Sequence, residues 1–461
     1  MSAMDNLTDL GPALHSPVVQ VVIGAVAVAL VVIVGRELLK VPAKLHVLMF
    51  TAFLDMVGAL IVIPLLPFYA SRMGAGGMIV GILVSSFAAA QLLSAPLWGR
   101  FSDRFGRRPT LLVALGASVI AYIIFGYATS IWVLLASRLV LGAGGGTVGV
   151  IQAYVADATE PRDRAKSLGW LSAATNAGVA LGPVLGSWAA LAGAKTFTVA
   201  GSAFSIGPAA PGLLAASLCL LNMVFAWKYL QEPKGATGEH PIVKHERKAT
   251  STVGAAMRVI SHSAEPASRM IWIYSIAMGA FGGAMAVLAL FLKEEFCITE
   301  ATIGYFFLYI GVISVITRVL VLGRLVDRLG EPRLSRVGMV LLALGLVGLP
   351  FANGLASLAL FVALIPLGTA FTFPCVTAML SRVIAPTERG LYMGLQQTFG
   401  GTARVVFPIA MGIVFDRVGH GWPFWLCGAL VLSTIALGLG MEGYLKPTPV
   451  AEPVTEPVTA A

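Results

Sequence analysis

Asp55 is the only carboxylate set deep inside an apolar run, in Leu54-Asp55-x-x-Gly58-x-x-Ile61-x-x-Pro64-x-x-Pro67. It lies about ten residues past the start of that run, roughly 15 Å along a helix. Desolvation disfavours the charged form of a carboxyl group, which suits a group that takes up and releases a proton. The plainer reading is a permanent partner for an arginine. Arg138 is the matching intramembrane cation, in Arg138-Leu-Val-Leu-Gly142-Ala-Gly144-Gly145-Gly146. A charge within hydrocarbon is expensive and points to function by default, with a structural ion pair as the alternative. No catalytic triad, metal cluster or phosphate loop accompanies these residues, so neither an enzyme nor a cofactor is indicated. Gly144-x-Gly146-x-x-Gly149 matches a dinucleotide fingerprint in letters only, since it neither follows a strand nor opens a helix. Small residues there more simply let helices pack closely. Cys219, Cys297, Cys375 and Cys427 have no metal or redox spacing and read as packing residues.

The elements that position these residues are membrane helices. Only 11% of the residues are charged and 57% are hydrophobic, with a mean hydropathy of +0.87. A soluble chain carries about 25% charged residues. A spanning helix needs about 20 mostly apolar residues. Such runs are expected at 17–35, 45–69, 78–98, 110–128, 130–153, 166–191, 209–229, 270–292, 301–322, 334–352, 355–380, 391–415 and 422–443. The first is preceded by Asp5 and Asp9 and followed by Arg36, Lys40 and Lys44. A signal peptide has its basic residues before the apolar run, so an uncleaved extra helix is expected, with cleavage as the alternative. Counting loops from there, one side collects most of the 31 Lys and Arg residues, and the other only Arg72, Lys195, Lys293 and Arg417. Basic loops face the cytoplasm, which puts the N-terminus outside and the C-terminal tail inside. The net charge of +9 lies in these loops, without interleaved aromatics, so nucleic acid is not a partner.

The sequence repeats. Gly99-Arg-Phe-Ser-Asp103-Arg104-Phe-Gly106-Arg107-Arg108 recurs as Gly323-Arg-Leu-Val-Asp327-Arg328-Leu-Gly330, 224 residues later. Arg164 and Gly169 recur as Arg389 and Gly394 at an offset of 225. Two loops that agree on one period indicate a duplicated six-helix unit, as some transporters are built.

On these motifs the chain resembles the major facilitator superfamily, and within it the drug/proton antiporters related to the tetracycline exporters, over roughly residues 45–444. The resemblance implies that the 99–108 loop latches the second core helix to the eleventh in the outward-facing state. Asp103 would face a helix N-terminus, with Gly99, Arg104, Gly106, Arg107 and Arg108 shaping and anchoring the turn. The second copy departs at Glu331-Pro332-Arg333, where a basic pair would stand. The resemblance also links Arg138 to proton transfer, although Leu141 replaces a usual polar residue. It links Gly178-x3-Gly182-Pro183-x2-Gly186 to antiporters, although Ser187 replaces a usual glycine; close packing is the plainer reading there. Gln91, Gln152, Asn176, Gln396, Gln397 and Arg404 are expected to line a cavity.

The expected fold is an all-α membrane bundle of two pseudo-symmetric six-helix halves plus an extra N-terminal helix. Its parts are a tail and extra helix (1–40), two halves (41–230 and 270–446), a cytoplasmic linker (231–269) and a Pro-rich tail (447–461). Within the linker, Ser251–His262 is expected to form an amphipathic surface helix. The expected function is secondary transport in the cell membrane, exporting a small amphipathic molecule in exchange for protons by alternating access. Alternatives are a metabolite symporter or uniporter, and a non-transporting sensor or assembly protein. The partners are a small-molecule substrate, protons and lipid; no obligatory protein partner is evident.

Overall fold

The computed structural model describes residues 43–145, 147–159, 164–195, 197–199, 202–204, 207–232, 252–385 and 387–441. The expected extra helix, most of the linker and the Pro-rich tail lie outside the described residues. Among the described residues, the bundle is helical apart from one short hairpin, Phe197–Val199 paired antiparallel with Ser202–Phe204.

The first half contains α1 (Ala43–Val62, continued by Leu66–Arg72), α2 (Gly77–Phe105), α3 (Arg107–Gly126), α4 (Ile131–Ala143, continued by Thr147–Ala158), α5 (Arg164–Ala194) and α6 (Ala210–Tyr229). The second half contains α7 (Pro266–Phe296), α8 (Ile303–Leu329), α9 (Glu331–Gly348), α10 (Leu355–Val383), α11 (Arg389–Arg417) and α12 (Trp422–Gly438). Among the described residues, ten helices are long and apolar enough to cross a membrane; Ile131–Ala143 and Trp422–Gly438 are shorter apolar helices.

The interruptions have local causes. Pro64 and Pro67 lack the amide that would continue α1. Gly144 and Gly145 break α4, because glycine loses the most freedom in a helix. The run expected at 130–153 is therefore two helices. In α8 a π-helical turn occupies Thr317–Val321. Gly106 and Gly330 end α2 and α8 with φ of 97° and 74°, a left-handed conformation that only glycine adopts without strain. The two repeated loops therefore share backbone geometry as well as sequence.

The packing repeats too. In the first half α1 packs on α5 and α6, α3 on α4 and α6, and α2 on α4. In the second, α7 packs on α11 and α12, α9 on α10 and α12, and α8 on α10. The halves meet through α2 with α11 and α5 with α8. One detail of the repeat is inverted. Arg107 donates to Asp157 at 2.9 Å, tying the start of α3 to the end of α4. Glu331 pairs with Arg382 at 2.7 Å, tying the start of α9 to the end of α10. These positions lie 224 and 225 residues later, so the ion pair is kept with its charges exchanged. That accounts for the departure at Glu331.

In the linker region, Thr252–Ser261 is helical. Ala255 and Val259 are buried, whereas Val253, Met257 and Ile260 form an exposed apolar stripe. Trp272 of α7 donates to the Val259 carbonyl at 3.2 Å and holds the helix against the bundle.

Candidate functional site

Asp55 and Arg138 are both buried in the first half, and they do not pair. Asp55, on α1, accepts a 2.8 Å hydrogen bond from Thr147 Oγ1, at the start of the second segment of α4. Arg138, on the first segment of α4, is only 2% exposed and stacks over the Phe125 ring at 5.5 Å. Its Nε and Nη2 have no hydrogen-bond partner. Tyr122 of α3 is buried within electrostatic reach of both groups. It packs where Gly58 keeps α1 thin, since a Cβ there would lie 3.4 Å from the ring. Thr147 and Tyr122 were not legible as site residues, because neither hydroxyl differs in sequence from an ordinary packing group.

The halves are closed at the end opposite the basic loops. A Cβ on Gly81 of α2 would lie 2.2 Å from the Pro408 carbonyl oxygen of α11, and one on Gly412 would lie 2.2 Å from that of Gly77. On the other flank, Gly311 of α8 meets the backbone of Ala180 on α5. Polar contacts complete this closure. Asp416 of α11 accepts from the Gly77 and Met78 amides at 2.6 and 2.8 Å. Ser187 of α5 donates to the Glu300 carbonyl at 2.7 Å and accepts from the Gly304 amide at 2.9 Å. The residue that departs from the usual glycine is thus a bridge between the halves. Arg72 pairs with Glu300 at 2.6 Å beside a cavity of about 530 Å³. Burial raises the Glu300 carboxyl above its ordinary range, against the pull of Arg72 and Lys293.

Glycines at the basic end show no such close approach among the described residues. Hypothetical Cβ atoms on Gly99, Gly169, Gly323 and Gly394 would meet nothing within 4 Å among the described residues. The expected 99–108 loop is narrower in the structure: Gly99, Asp103 and Arg104 belong to the last turns of α2, and only Gly106 separates that helix from α3. Asp103 is exposed and bonds Arg107, the first residue of α3, at 2.8 Å. Arg107 also donates to Ser102 and Asp157. The α3 amides of Arg107 and Arg108 donate to Glu232, at 2.5 and 2.9 Å. Glu232 is a carboxylate cap on a helix N-terminus that was not anticipated. Arg108 donates to the Trp227 carbonyl. Arg104 stacks over Phe105. Asp327 and Arg328 are exposed in the last turn of α8.

Gly178, Gly182 and Gly186 line the α5 face against α1, where Cβ atoms would lie 2.5 to 2.7 Å from main-chain or Leu60 atoms. Pro183 lies within an unbroken α5, and its carbonyl abuts Gly304. Of the expected cavity residues, Gln91 donates to the Gly145 carbonyl at 3.2 Å and Asn176 to the Ser172 carbonyl at 2.6 Å. Gln152 and Gln397 are exposed. Gln396 is instead buried against α10, where Thr377 donates to it at 3.4 Å. Arg404 is half-buried on α11, with its Nε unpartnered. Cys297 is exposed, unlike the packing residue expected, whereas Cys219, Cys375 and Cys427 are buried.

Comparison with known proteins agrees with this architecture. The Major Facilitator Superfamily model matches residues 48–285 and 270–459. Multidrug resistance protein 2 of Bacillus subtilis (strain 168) is 27% identical over 398 residues, which are 86% of this chain and 94% of that protein. Tetracycline resistance protein, class C, of Escherichia coli is 30% identical over 392 residues, 84% of this chain and 93% of that protein. The solved structure of the human organic anion transporter MFSD10 (TETRAN) shares the fold, with a TM-score of 0.61 at 22% identity over 86% of this chain and 100% of that one. This chain belongs to the major facilitator superfamily and is a multi-pass membrane transporter.

Proposed function

We propose that the protein exports a small amphipathic molecule in exchange for protons, by alternating access between its two halves. The observation that carries the reading is the state of Asp55. It is buried at depth, held by one hydroxyl and not neutralised by Arg138. A carboxyl in that position is free to exchange a proton as hydration changes. Relatives named for multidrug and tetracycline resistance support export over uptake. With the basic loops in the cytoplasm, the described state is inward-open and its closed end faces outside. The open end admits substrate from the cytoplasm, and breaking the Asp416, Ser187 and Arg72 contacts would release it outside. The test is flux in proteoliposomes under an imposed pH difference. Movement of substrate against the proton gradient supports the reading; movement with the protons, or none that depends on pH, refutes it.

A further inference from the structure

The break in α4 stands between Asp55 on α1 and a row of donors on α2. Gln91, Ser94 and Trp98 follow one another at i, i+3 and i+7, so they share one face of α2. Each donates to a carbonyl at the break: Gln91 Nε2 to Gly145 at 3.2 Å, Ser94 Oγ to Gly142 at 3.3 Å and Trp98 Nε1 to Ala143 at 2.5 Å. Ser94 divides its hydroxyl between Gly142 and the Gln91 carbonyl, also at 3.3 Å, so the indole makes the firmest of the three bonds. A Cβ on Gly142 would lie 2.4 Å from the Phe87 carbonyl oxygen, so α2 and α4 meet here at backbone distance.

Two arrangements compete for the Ala143 carbonyl. In a continuous α-helix it would accept the amide four residues on, that of Thr147. Here Thr147 opens the second segment of α4, its hydroxyl is on Asp55 at 2.8 Å, and Trp98 takes the carbonyl instead. Closing the break would return the Thr147 amide to Ala143, displace the indole and draw Thr147 from Asp55. The second half lacks this device. At the 224-residue period the three donors correspond to Val315, Arg318 and Leu322, and α10, the counterpart of α4, runs unbroken from Leu355 to Val383. Among the described residues, the donors and the break occur together in the half that holds Asp55.

The charge on Asp55 biases the choice. A hydroxyl bonds an ionised carboxylate roughly twice as strongly as a neutral group, so a proton on Asp55 loosens its hold on Thr147. The titratable groups facing Asp55 are Tyr122 of α3 and Cys219 of α6. Arg138 of α4 acts on Tyr122, and α5 presents glycines to α1.

We infer that Trp98, supported by Ser94 and Gln91, is a positioning residue that carries the charge state of Asp55 to the basic-loop end of α2. With Asp55 ionised, Trp98 holds that end of α2 on α4. With Asp55 protonated, α4 closes its break, and the turns bearing Gly99 and Asp103 are released toward α11. This rests on Asp55 as the proton group of the transport reading above, but not on the direction of transport.

The test is the indole N–H resonance of Trp98 in the purified full-length protein with isotope-labelled tryptophan, followed through a pH titration without substrate or gradient. Trp98→Phe identifies the signal by its loss. The signal is expected to shift with pH in the parent and to stay fixed in Asp55→Asn and in Thr147→Val. Spin labels across the basic-loop mouth give a second readout. Trp98→Phe keeps the ring but not the donor; it should move the population several-fold toward the closed mouth and remove most of the parent's pH dependence. A Trp98 signal that ignores pH in the parent overturns the inference, as does one that still titrates in Asp55→Asn or Thr147→Val. So does a Trp98→Phe distance distribution equal to the parent's at every pH. Symport in the flux assay with the Trp98 titration intact would refute antiport and leave this relay standing.

Discussion

The carboxylate of Asp416, at the end of α11, accepts the backbone amide of Gly77, at the start of α2, at 2.6 Å. A residue of one half thereby caps a helix N-terminus of the other. Such a charge is worth about 0.3–1 kcal/mol, up to ~2 in favourable geometry. Asp416→Asn is expected to shift the resting population several-fold toward the state open at this end. Spin-label distances across that mouth measure it, and an unaltered distance distribution would show that the cap does not hold the closure.

The loop at the other end should act with the opposite sign. Asp103 is exposed here and bonded only to Arg107, four residues on, so its loss leaves this state almost untouched. In the outward-facing state it would face α11. Asp103→Asn is therefore expected to enrich the state described here. Because the two sites lie at opposite ends, their effects should add. The double variant with Asp416→Asn should return toward the parental distribution, and a double variant that matches either single one would contradict two independent latches.

Coupling should reside in Asp55. Asp55→Asn keeps an acceptor for Thr147 but carries no exchangeable carboxyl proton. It is expected to abolish uphill transport driven by a pH difference while retaining substrate binding. Uphill accumulation by the purified variant in proteoliposomes would assign coupling elsewhere.

The exchanged ion pair offers a stability test. Arg107 is 17% exposed and Asp157 is 35% exposed, so the bond is partly screened and worth about 0.2–1 kcal/mol, as for surface pairs. Asp157→Arg alone places two cations together and should lower the melting temperature. Adding Arg107→Glu recreates the polarity found between Glu331 and Arg382 and should recover most of the loss. Equal melting of the single and double variants would show that no pair energy is present.

Orientation can be read from the native thiols. Cys297 is exposed in the loop between α7 and α8, at the closed end, and the other three cysteines are buried. A membrane-impermeant maleimide should label Cys297 on intact cells, and Cys297→Ser should abolish the labelling. Labelling only after permeabilisation would place the basic loops outside.

The helical bundle, its internal repeat and the depth of Asp55 and Arg138 could be read from the sequence because each rests on local regularities: apolar run length, loop charge and a repeated spacing. The turn at Gly106 was legible from its glycine, whereas Gly99, read as part of the same turn, lies inside α2. Relations between distant segments were not. Thr147 beside Asp55, Glu232 on α3 and Asp416 on α2 join positions far apart in the chain, and nothing in a single sequence marks which hydroxyl or carboxylate will meet which amide. Ser187 looked like a lapse in a glycine motif, yet it bridges the halves through Glu300 and Gly304. Glu331 looked like a lost basic residue, yet it preserves an ion pair with its charges reversed. The sequence determined which residues had to be buried in a membrane; only the packing of the helices on one another decided which of the buried charges found a partner and which were left unpaired.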